Sequence, residues 1–448
     1  MSAATNEAAA TQDLTRAAEC ALDYARSQGM DQAEVSLHQG TGVAVTARQQ
    51  VLETVEKNND AQIALSVYKD HKTGSSSSAD LSEQGIRASV DAAISIARHT
   101  GADDCLGLAD KELMATELGD LDLYHPWDKN IAELVDVALA CEQAALEFDE
   151  KIINSEGASI NSYSGHAVYA NSHGFINESK GSNHSMSCSV IGAIDDNMQR
   201  DYWYDSNRDA SKLDSAESIG KAAAHRTVRR LGAKKIASTQ AAVLYEPAMA
   251  KSLVSHLVGA IKGGAIYKKA SFMLDQVGES VLPEFVTIAE NPHKIGANSS
   301  ARHDGEGVAT PAYRPIIDSG TLTGYVLGSY TARKLGLQST ANSGGVRNLT
   351  VSNTGQSFDD LLKQMGTGLL LTELIGSGIN MVTGDYSRGA AGFWVENGEV
   401  QMPVEEITIA GNLRDIYRDI AAIGADTDTR GNTECGSILV QNMTIAGS

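Results

Sequence analysis

The stretch that decides the fold of the last third of the chain spans residues 383–399, Thr-Gly-Asp-Tyr-Ser-Arg-Gly-Ala-Ala-Gly-Phe-Trp-Val-Glu-Asn-Gly-Glu. Asn397-Gly398 lies between the apolar run Phe393-Trp-Val395 and Val400, and this pattern predicts a β-hairpin with a two-residue turn. The glycines of the stretch allow a second backbone to approach closely, as in a peptide groove or an interface. Asp385 and Arg388 form either an ion pair across a turn or contacts to a peptide.

Outward from this hairpin, hydrophobic periodicity predicts an α+β fold in three parts. Helical patterns alternate with short strand patterns in the first half, and hairpin-like spacing dominates after Tyr313. The three predicted domains are a small N-terminal helix-and-strand domain at 13–101, a mixed middle domain at 120–231 and a β-rich C-terminal domain at 237–448. Asp13 is the expected N-cap of the first helix, which the pattern places over 13–28.

A basic run closes the last helix predicted for the middle domain. It contains Arg226, Arg229, Arg230, Lys234 and Lys235. Positive charge is favoured at a helix C-terminus by the helix dipole. We expect a solvated face here, and a contact to a partner is the alternative.

Charge and cysteine usage exclude several classes of protein. A net charge of −21 repels phosphate backbones and anionic lipids, so we expect no nucleic-acid and no membrane partner. No apolar stretch approaches the roughly 18 residues that a membrane helix needs. Met1–Asp13 lacks the pattern of a signal peptide. The five scattered cysteines contain no C-x-x-C pair, which is typical of a reducing compartment, so we expect a cytoplasmic protein.

Motifs for hydrolytic chemistry are missing from the sequence. The closest of the eleven histidines, His166 and His173, are seven residues apart, and no H-E-x-x-H occurs. The calcium-like start at Asp426-Thr-Asp428 continues with Arg430, where an EF-hand needs an oxygen ligand. No G-x-S-x-G elbow occurs either. We therefore predict no catalytic residue in this chain.

Several ordered blocks nevertheless resemble one known family. They are residues 383–399, Pro403-Val404, the run from Ile409 to Leu413, the run from Asp304 to Val308 and the run from Cys435 to Val440. Together they are similar to the TldD/TldE metalloprotease family on its TldE side, also called PmbA, from about residue 30 to the end. The resemblance implies a cytosolic heterodimer that acts in peptide maturation and in the turnover of small proteins.

The resemblance also implies where zinc is held. In the family, the TldD subunit carries zinc on a His-Glu-x-x-x-His helix together with a distant cysteine. On the matching helix of this chain, Ser255 stands at the first histidine position, His256 at the glutamate position and Ala260 at the second histidine position. We therefore expect no metal and no cofactor in this chain, and zinc in the partner subunit.

Three hypotheses follow for function. The first is a non-catalytic PmbA/TldE-type subunit that binds substrate peptide and assembles with a TldD-type subunit, forming a homodimer when alone. The second is a stand-alone binding or regulatory homodimer, and the third is a self-sufficient peptidase with unrecognised chemistry. The candidate peptide-binding or interface residues are Asp304, Glu306, Arg347, Asn348, Asp385 and Arg388.

Overall fold

A computed structural model describes residues 3–447, with side chains described from residue 13 onward. The predicted α+β class is confirmed. The helices of this part are α1 Ala3–Ser27, α2 Glu83–His99, α3 Ile131–Leu146, α4 Ala216–Arg229, α5 Pro247–Ile261, α6 Gly263–Tyr267, α7 Ser329–Leu335, α8 Phe358–Met365 and α9 Leu413–Arg418. The strands are β1 Gln32–Arg48, β2 Val51–Lys69, β3 Lys72–Ser78, β4 Ile152–Asn171, β5 Ile176–Ile194, β6 Asn197–Asn207, β7 Thr239–Tyr245, β8 Ile288–Glu290, β9 Arg314–Asp318, β10 Thr321–Leu322, β11 Leu349–Val351, β12 Gly368–Ile375, β13 Asp385–Glu396, β14 Glu399–Asn412, β15 Ile420–Ile423, β16 Thr433–Glu434 and β17 Ile438–Ala446.

The first six strands form one antiparallel sheet in the order β3-β2-β1-β4-β5-β6. Because β1 pairs with both β2 and β4, the predicted N-terminal and middle domains share this sheet. Each keeps its own apolar layer: α1 and α2 pack on one part of the sheet, and α3 and α4 pack on the other. The exact residue boundaries of the three domains stay a prediction.

Strand β1 contains two runs of alternating apolar residues, 33–37 and 43–47. Gly40 and Gly42 interrupt the apolar alternation, yet the strand continues through both. A Cβ atom at Gly40 would lie 1.9 Å from the Tyr163 hydroxyl oxygen on β4, so only glycine leaves room for that ring. The Tyr163 ring instead stacks on His38, with the hydroxyl oxygen 2.6 Å from His38 Nε2.

Two further sheets build the β-rich C-terminal part. One has the order β14-β13-β12-β7-β17-β15, and the other has the order β10-β9-β8-β11-β16. Helix α5 lies in the main core, because its apolar face (Leu253, Val254, Leu257 and Ile261) packs with side chains of both sheets. The predicted hairpin is confirmed: Asn397 and Gly398 connect β13 to β14 with φ values of 53° and 77°. These left-handed values explain the Asn-Gly pair.

The first helix differs from the prediction at its start. It begins at Ala3, so Asp13 lies inside the helix and is not its N-cap. Asp13 instead lies 3.8 Å from Arg16 one turn later, an exposed pair. The side chains of residues 1–12, which bear on the expected absence of a signal peptide, lie outside the described residues. Within residues 3–447, no helix is both long and apolar enough to cross a membrane.

Candidate functional site

Asp304 organises the loop that follows it. Its side chain is 1% exposed. Oδ1 accepts the backbone N–H groups of Glu306 (2.9 Å) and Val308 (3.0 Å), and Oδ2 accepts that of Ser343 (2.9 Å). Burial raises the pKa of Asp304 to about 6, although these N–H groups act in the opposite direction. Asp304 therefore fixes the loop against the segment around Ser343.

Glu306 lies between two cavities. One has a volume of about 490 Å³ and the other of about 380 Å³, and both are lined by Glu306 and Ser343. Oε2 of Glu306 accepts the backbone N–H of Ser329 (2.9 Å) at the start of α7. Gly344 and Gly345 form part of the wall with φ values of 92° and 107°, and no atom lies within 4 Å of a Cβ built at either position. We call this region, from Glu306 to Gly344-Gly345, the glycine-walled groove.

Glu34, which no motif in the sequence indicates, joins this region from the other end of the chain. Its carboxylate accepts the hydroxyl groups of Tyr68 (2.7 Å) and Tyr169 (2.9 Å), and it lines the larger cavity together with Glu306. Burial raises the pKa of Glu34, and the negative charge of Glu306 adds to that shift. Glu34 alternates with apolar residues on β1, a pattern that alone indicates a solvent-facing position.

Arg347 and Asn348 lie next to Gly344-Gly345 on the same segment. The backbone N–H of Arg347 donates to Glu290 Oε1 (2.7 Å), and its side-chain Nε is buried without a hydrogen-bond partner. Burial lowers the pKa of Arg347. Asn348 is 5% exposed, and its amide is used internally by Ser299, Asn291 and Ser300. The structure thus brings Asp304, Glu306, Arg347 and Asn348 into one region.

Asp385 and Arg388 lie apart from that region and do not pair with each other. Asp385 accepts the Thr383 hydroxyl (2.6 Å) and the Asn412 side-chain N–H (3.3 Å). Arg388 lies on the buried side of β13, where its Nε has no hydrogen-bond partner. The ion pair that the sequence allowed is therefore not formed.

The residues at the degenerate zinc positions lie on α5. Ser255 is exposed, His256 is half-buried and Ala260 is fully buried. The His256 ring centroid lies 6.1 Å from that of Tyr386, and Arg388 acts on His256 as the nearby charge. A single imidazole beside a guanidinium does not fit a zinc ion, which needs three or four close ligands. The residues with described side chains contain no group of three or more His, Cys, Asp or Glu able to hold a metal.

Cys435 does not change this conclusion. It is fully buried, and burial raises its pKa to about 12. Its thiol donates to the Gly436 carbonyl oxygen (3.2 Å) and is therefore used inside the protein.

A cavity of about 910 Å³ lies between the middle and C-terminal parts. Trp203 lies on its wall and contacts two guanidinium groups, with Arg430 3.9 Å and Arg226 5.1 Å from the ring centre. Asp428, from the calcium-like segment, pairs with Lys251 (3.0 Å) and with Arg430 (2.9 Å). Its oxygens therefore face protein cations and not a calcium site.

Three arginines of the basic run form ion pairs with other elements and do not make the expected solvated face. Arg226 and Arg229 pair with Glu246 at 3.3 Å and 2.8 Å, and Arg230 lies 3.4 Å from Asp201. The solvated-face interpretation is wrong for these arginines, whose side chains are 15%, 27% and 12% exposed. Their acidic partners come from other elements, so the pattern of a single helix could not indicate them.

The fold and site define a chain of three α+β parts with a glycine-walled groove in the third. Family models described as PmbA/TldA metallopeptidase domain 1, central domain and C-terminal domain match residues 33–97, 124–231 and 238–447. The chain is 47% identical over 434 residues to metalloprotease PmbA of Escherichia coli O157:H7, covering 97% of this chain and 96% of that protein. It is 45% identical over 438 residues to a metalloprotease PmbA homolog of Haemophilus influenzae, covering 98% and 97%. The chain therefore belongs to the PmbA/TldD metallopeptidase family, on its PmbA side.

Solved structures show the same fold. One is a chain from Bacteroides thetaiotaomicron described as a modulator of DNA gyrase. It superposes with a TM-score of 0.92 at 28% identity, covering 97% of this chain and 99% of that chain. TldE from Thermococcus kodakarensis superposes with a TM-score of 0.81 at 20% identity, covering 96% and 100%. The second likeness concerns the fold alone.

Proposed function

We propose that this chain is the non-catalytic subunit of a cytoplasmic zinc metalloprotease whose other subunit is a TldD-type chain. The complex acts in proteolysis and in the maturation of peptides and small unfolded proteins. In it, this chain binds substrate and completes the assembly. The observation that carries the proposal is the composition of α5, where Ser255, His256 and Ala260 stand at the degenerate zinc positions and Arg388 lies beside them.

The chemistry of amide hydrolysis supports this division of labour. Hydrolysis at neutral pH needs an activated water or a strong nucleophile, together with stabilisation of the developing oxyanion. His256 is a single imidazole, and burial and the Arg388 charge both lower its pKa. The Cys435 thiol is buried and protonated. The partner's zinc supplies the activation that these residues do not.

The glycine-walled groove supports a role in binding peptide. Gly344 is exposed, and both Gly344 and Gly345 leave space above the backbone, so an extended chain can approach closely. The backbone N–H and C=O of Gly345 are bonded to Asn342, so Gly344 is the position offered for main-chain hydrogen bonds. Glu306 places a carboxylate at the end of this wall, and Lys262 also lines the smaller cavity. A peptide carries backbone donors, backbone acceptors and charges that match this lining.

The experiment is a peptidase assay of this chain alone, of the TldD-type partner alone and of the mixture. We expect hydrolysis from the mixture and none from this chain. Metal-independent cleavage by this chain that survives chelation and repurification would contradict the proposal and favour a self-sufficient peptidase.

A pull-down with the TldD-type chain tests the assembly. Capture in a stoichiometric complex is the expected result. A homodimer that ignores the partner would instead favour the stand-alone binding or regulatory homodimer.

A further inference from the structure

The second strand of the first sheet is paired along only half of its outer edge. Strand β1 pairs with the inner edge of β2 along nearly its whole length. The outer edge of β2 pairs with β3 only from Ile63 to Lys69. Among the described residues, no strand pairs with the outer edge from Val51 to Gln62. Every residue of Val51–Asp60 is exposed, so neither face of this half is covered. We call Val51–Asp60 the free edge of β2.

The free edge carries apolar side chains in contact with solvent. Val51, Leu52 and Val55 are 62%, 47% and 38% exposed. An uncovered edge offers unpaired backbone N–H and C=O groups, and it pairs readily with another strand. Soluble proteins normally shorten or cover such edges. A long, apolar and uncovered edge therefore indicates that another strand covers it.

The turn before the free edge holds it in place. Gln49 and Gln50 connect β1 to β2 with φ values of 53° and 60°. The fully buried carboxylate of Glu142 on α3 accepts both of their backbone N–H groups, at 2.8 Å and 2.7 Å. The edge is thus presented in a fixed position, and less conformational entropy is lost when a second strand pairs with it.

The charges of the free edge are self-complementary in one register. Two copies of a strand paired antiparallel about a two-fold axis have one residue facing its own copy at the centre, because directly opposite residues point to the same face. A centre at Val55 places Glu53 of each copy opposite Lys57 of the other. A centre at Glu53, Glu56 or Lys57 would set a charged residue against its own copy. Opposite charges across a strand pair stabilise it and like charges destabilise it, so the register about Val55 is favoured.

We propose that the free edge of β2 is the contact between two copies of this chain, paired antiparallel about Val55. The charge pattern favours a second copy over an unrelated extended peptide, because the two-fold axis forms the Glu53–Lys57 pair twice. Within its own chain Glu53 lies 3.7 Å from Arg48 through Oε1, and Oε2 faces no cation of the described residues. The pairing goes beyond the proposed function, since it concerns the isolated chain and needs no TldD-type partner.

The size of the contact predicts a reversible dimer. The paired segment, residues 51–59, is shorter than the roughly 20–30 residues a side of a standard interface. We therefore expect a dimer whose population rises with protein concentration. Sedimentation velocity of the isolated full-length chain over a concentration series measures its dissociation constant.

Charge reversal tests the register. Lys57→Glu and Glu53→Lys each set like charges against each other at both pairs, so each should raise the dissociation constant about tenfold. Lys111→Glu makes the same change in net charge as Lys57→Glu at an exposed residue outside the free edge, and it should leave the constant unchanged. An equimolar mixture of Lys57→Glu and Glu53→Lys restores opposite charges at both pairs, so mixed dimers should form as tightly as those of the unaltered chain.

Each result decides the inference. A chain that stays monomeric at every concentration, a Lys57→Glu dimer as tight as the unaltered one, or a mixture no tighter than its components would overturn it. If either variant does not fold by circular dichroism, Val55→Lys takes its place and sets two lysines against each other on the axis. Several-fold weaker association is then expected, and unchanged association would contradict the contact. No partner and no peptidase activity enter the measurement, so its failure is distinguishable from failure of the proposed complex.

Discussion

Glu290 and Arg314 form a buried ion pair in which both Nε and Nη2 of the arginine lie within 2.8 Å of one carboxylate oxygen, Oε2. The second oxygen, Oε1, accepts the Asn342 side-chain N–H (2.9 Å) and the Arg347 backbone N–H (2.7 Å). Glu290 is 1% exposed. One carboxylate thus ties β8 to β9 and to the segment that carries Gly344-Gly345 and Arg347, so the glycine-walled groove depends on it.

Glu290→Gln should destabilise the chain by about 3–5 kcal/mol, the usual cost of breaking a buried pair by removing one charge. In either orientation the new amide NH₂ faces hydrogen-bond donors. They are the Arg314 guanidinium at one oxygen position and the N–H groups of Asn342 and Arg347 at the other. Denaturant unfolding followed by circular dichroism measures the loss. Glu279→Gln, on an exposed residue, is the matched control and should leave stability within the error of the measurement. Equal stability of the two variants would contradict the role given to Glu290.

Asp304→Asn should also destabilise at neutral pH, by about 1–3 kcal/mol, because one backbone N–H would face an amide NH₂ instead of an oxygen. The N–H groups concerned are those of Glu306, Val308 and Ser343. Thermal unfolding at pH 7 measures the effect, and Asp136→Asn on the exposed face of α3 serves as the control. A variant as stable as the control would show that the loop does not need this carboxylate.

The cost of Asp304→Asn should depend on pH. Burial raises the pKa of Asp304 from 3.8 to about 6, so the folded state binds the proton more tightly than the unfolded state. The stability from this proton is fully present below pH 3.8 and is lost as pH rises through 6. One pKa unit corresponds to about 1.4 kcal/mol, so this proton stabilises the folded state by about 3 kcal/mol when Asp304 is fully protonated. The stability difference between wild type and Asp304→Asn should therefore grow as pH falls through 6, and a constant difference would contradict the raised pKa.

The isolated chain should carry no stoichiometric zinc after purification without chelators. Zinc needs three or four close ligands. The helix positions Ser255, His256 and Ala260 offer one imidazole next to Arg388. Elemental analysis of the purified chain measures the metal directly. Near-equimolar zinc that resists dialysis would contradict the prediction and locate a site that these residues do not form.

Local signals in the sequence predicted much of the fold. Ile86, Val90, Ala93 and Ala97 recur at helical spacing, and α2 forms there with Ser82 as its cap, accepting the Gly85 backbone N–H. The Asn397-Gly398 turn likewise depends on two residues that tolerate left-handed backbone. Such features are decided within a few residues, so a single sequence reveals them.

Features that depend on distant segments could not be predicted in the same way. Glu290 is surrounded by Arg314, Asn342 and Arg347, which come from separate parts of the C-terminal region. Arg226 is half-buried and paired with Glu246 and Asp201, which reach it from other elements. The candidate residues around Asp304 were indicated by the family blocks, whereas Glu34, contributed by β1, carried no comparable signal.

The last prediction concerns Glu306 in the assembled complex. Glu306→Gln should raise the KM for peptides with a basic residue several-fold and leave kcat nearly unchanged. The carboxylate lies on the wall of the groove. A group that only holds the peptide contributes equally to binding the substrate and the transition state, so its loss changes KM and not kcat. Peptides with a neutral residue at the same place should be affected less, because they lose no charge–charge attraction. Glu279→Gln controls for the change in net charge. A fall in kcat for both kinds of peptide, with KM unchanged, would contradict a binding role and place Glu306 in the chemical step.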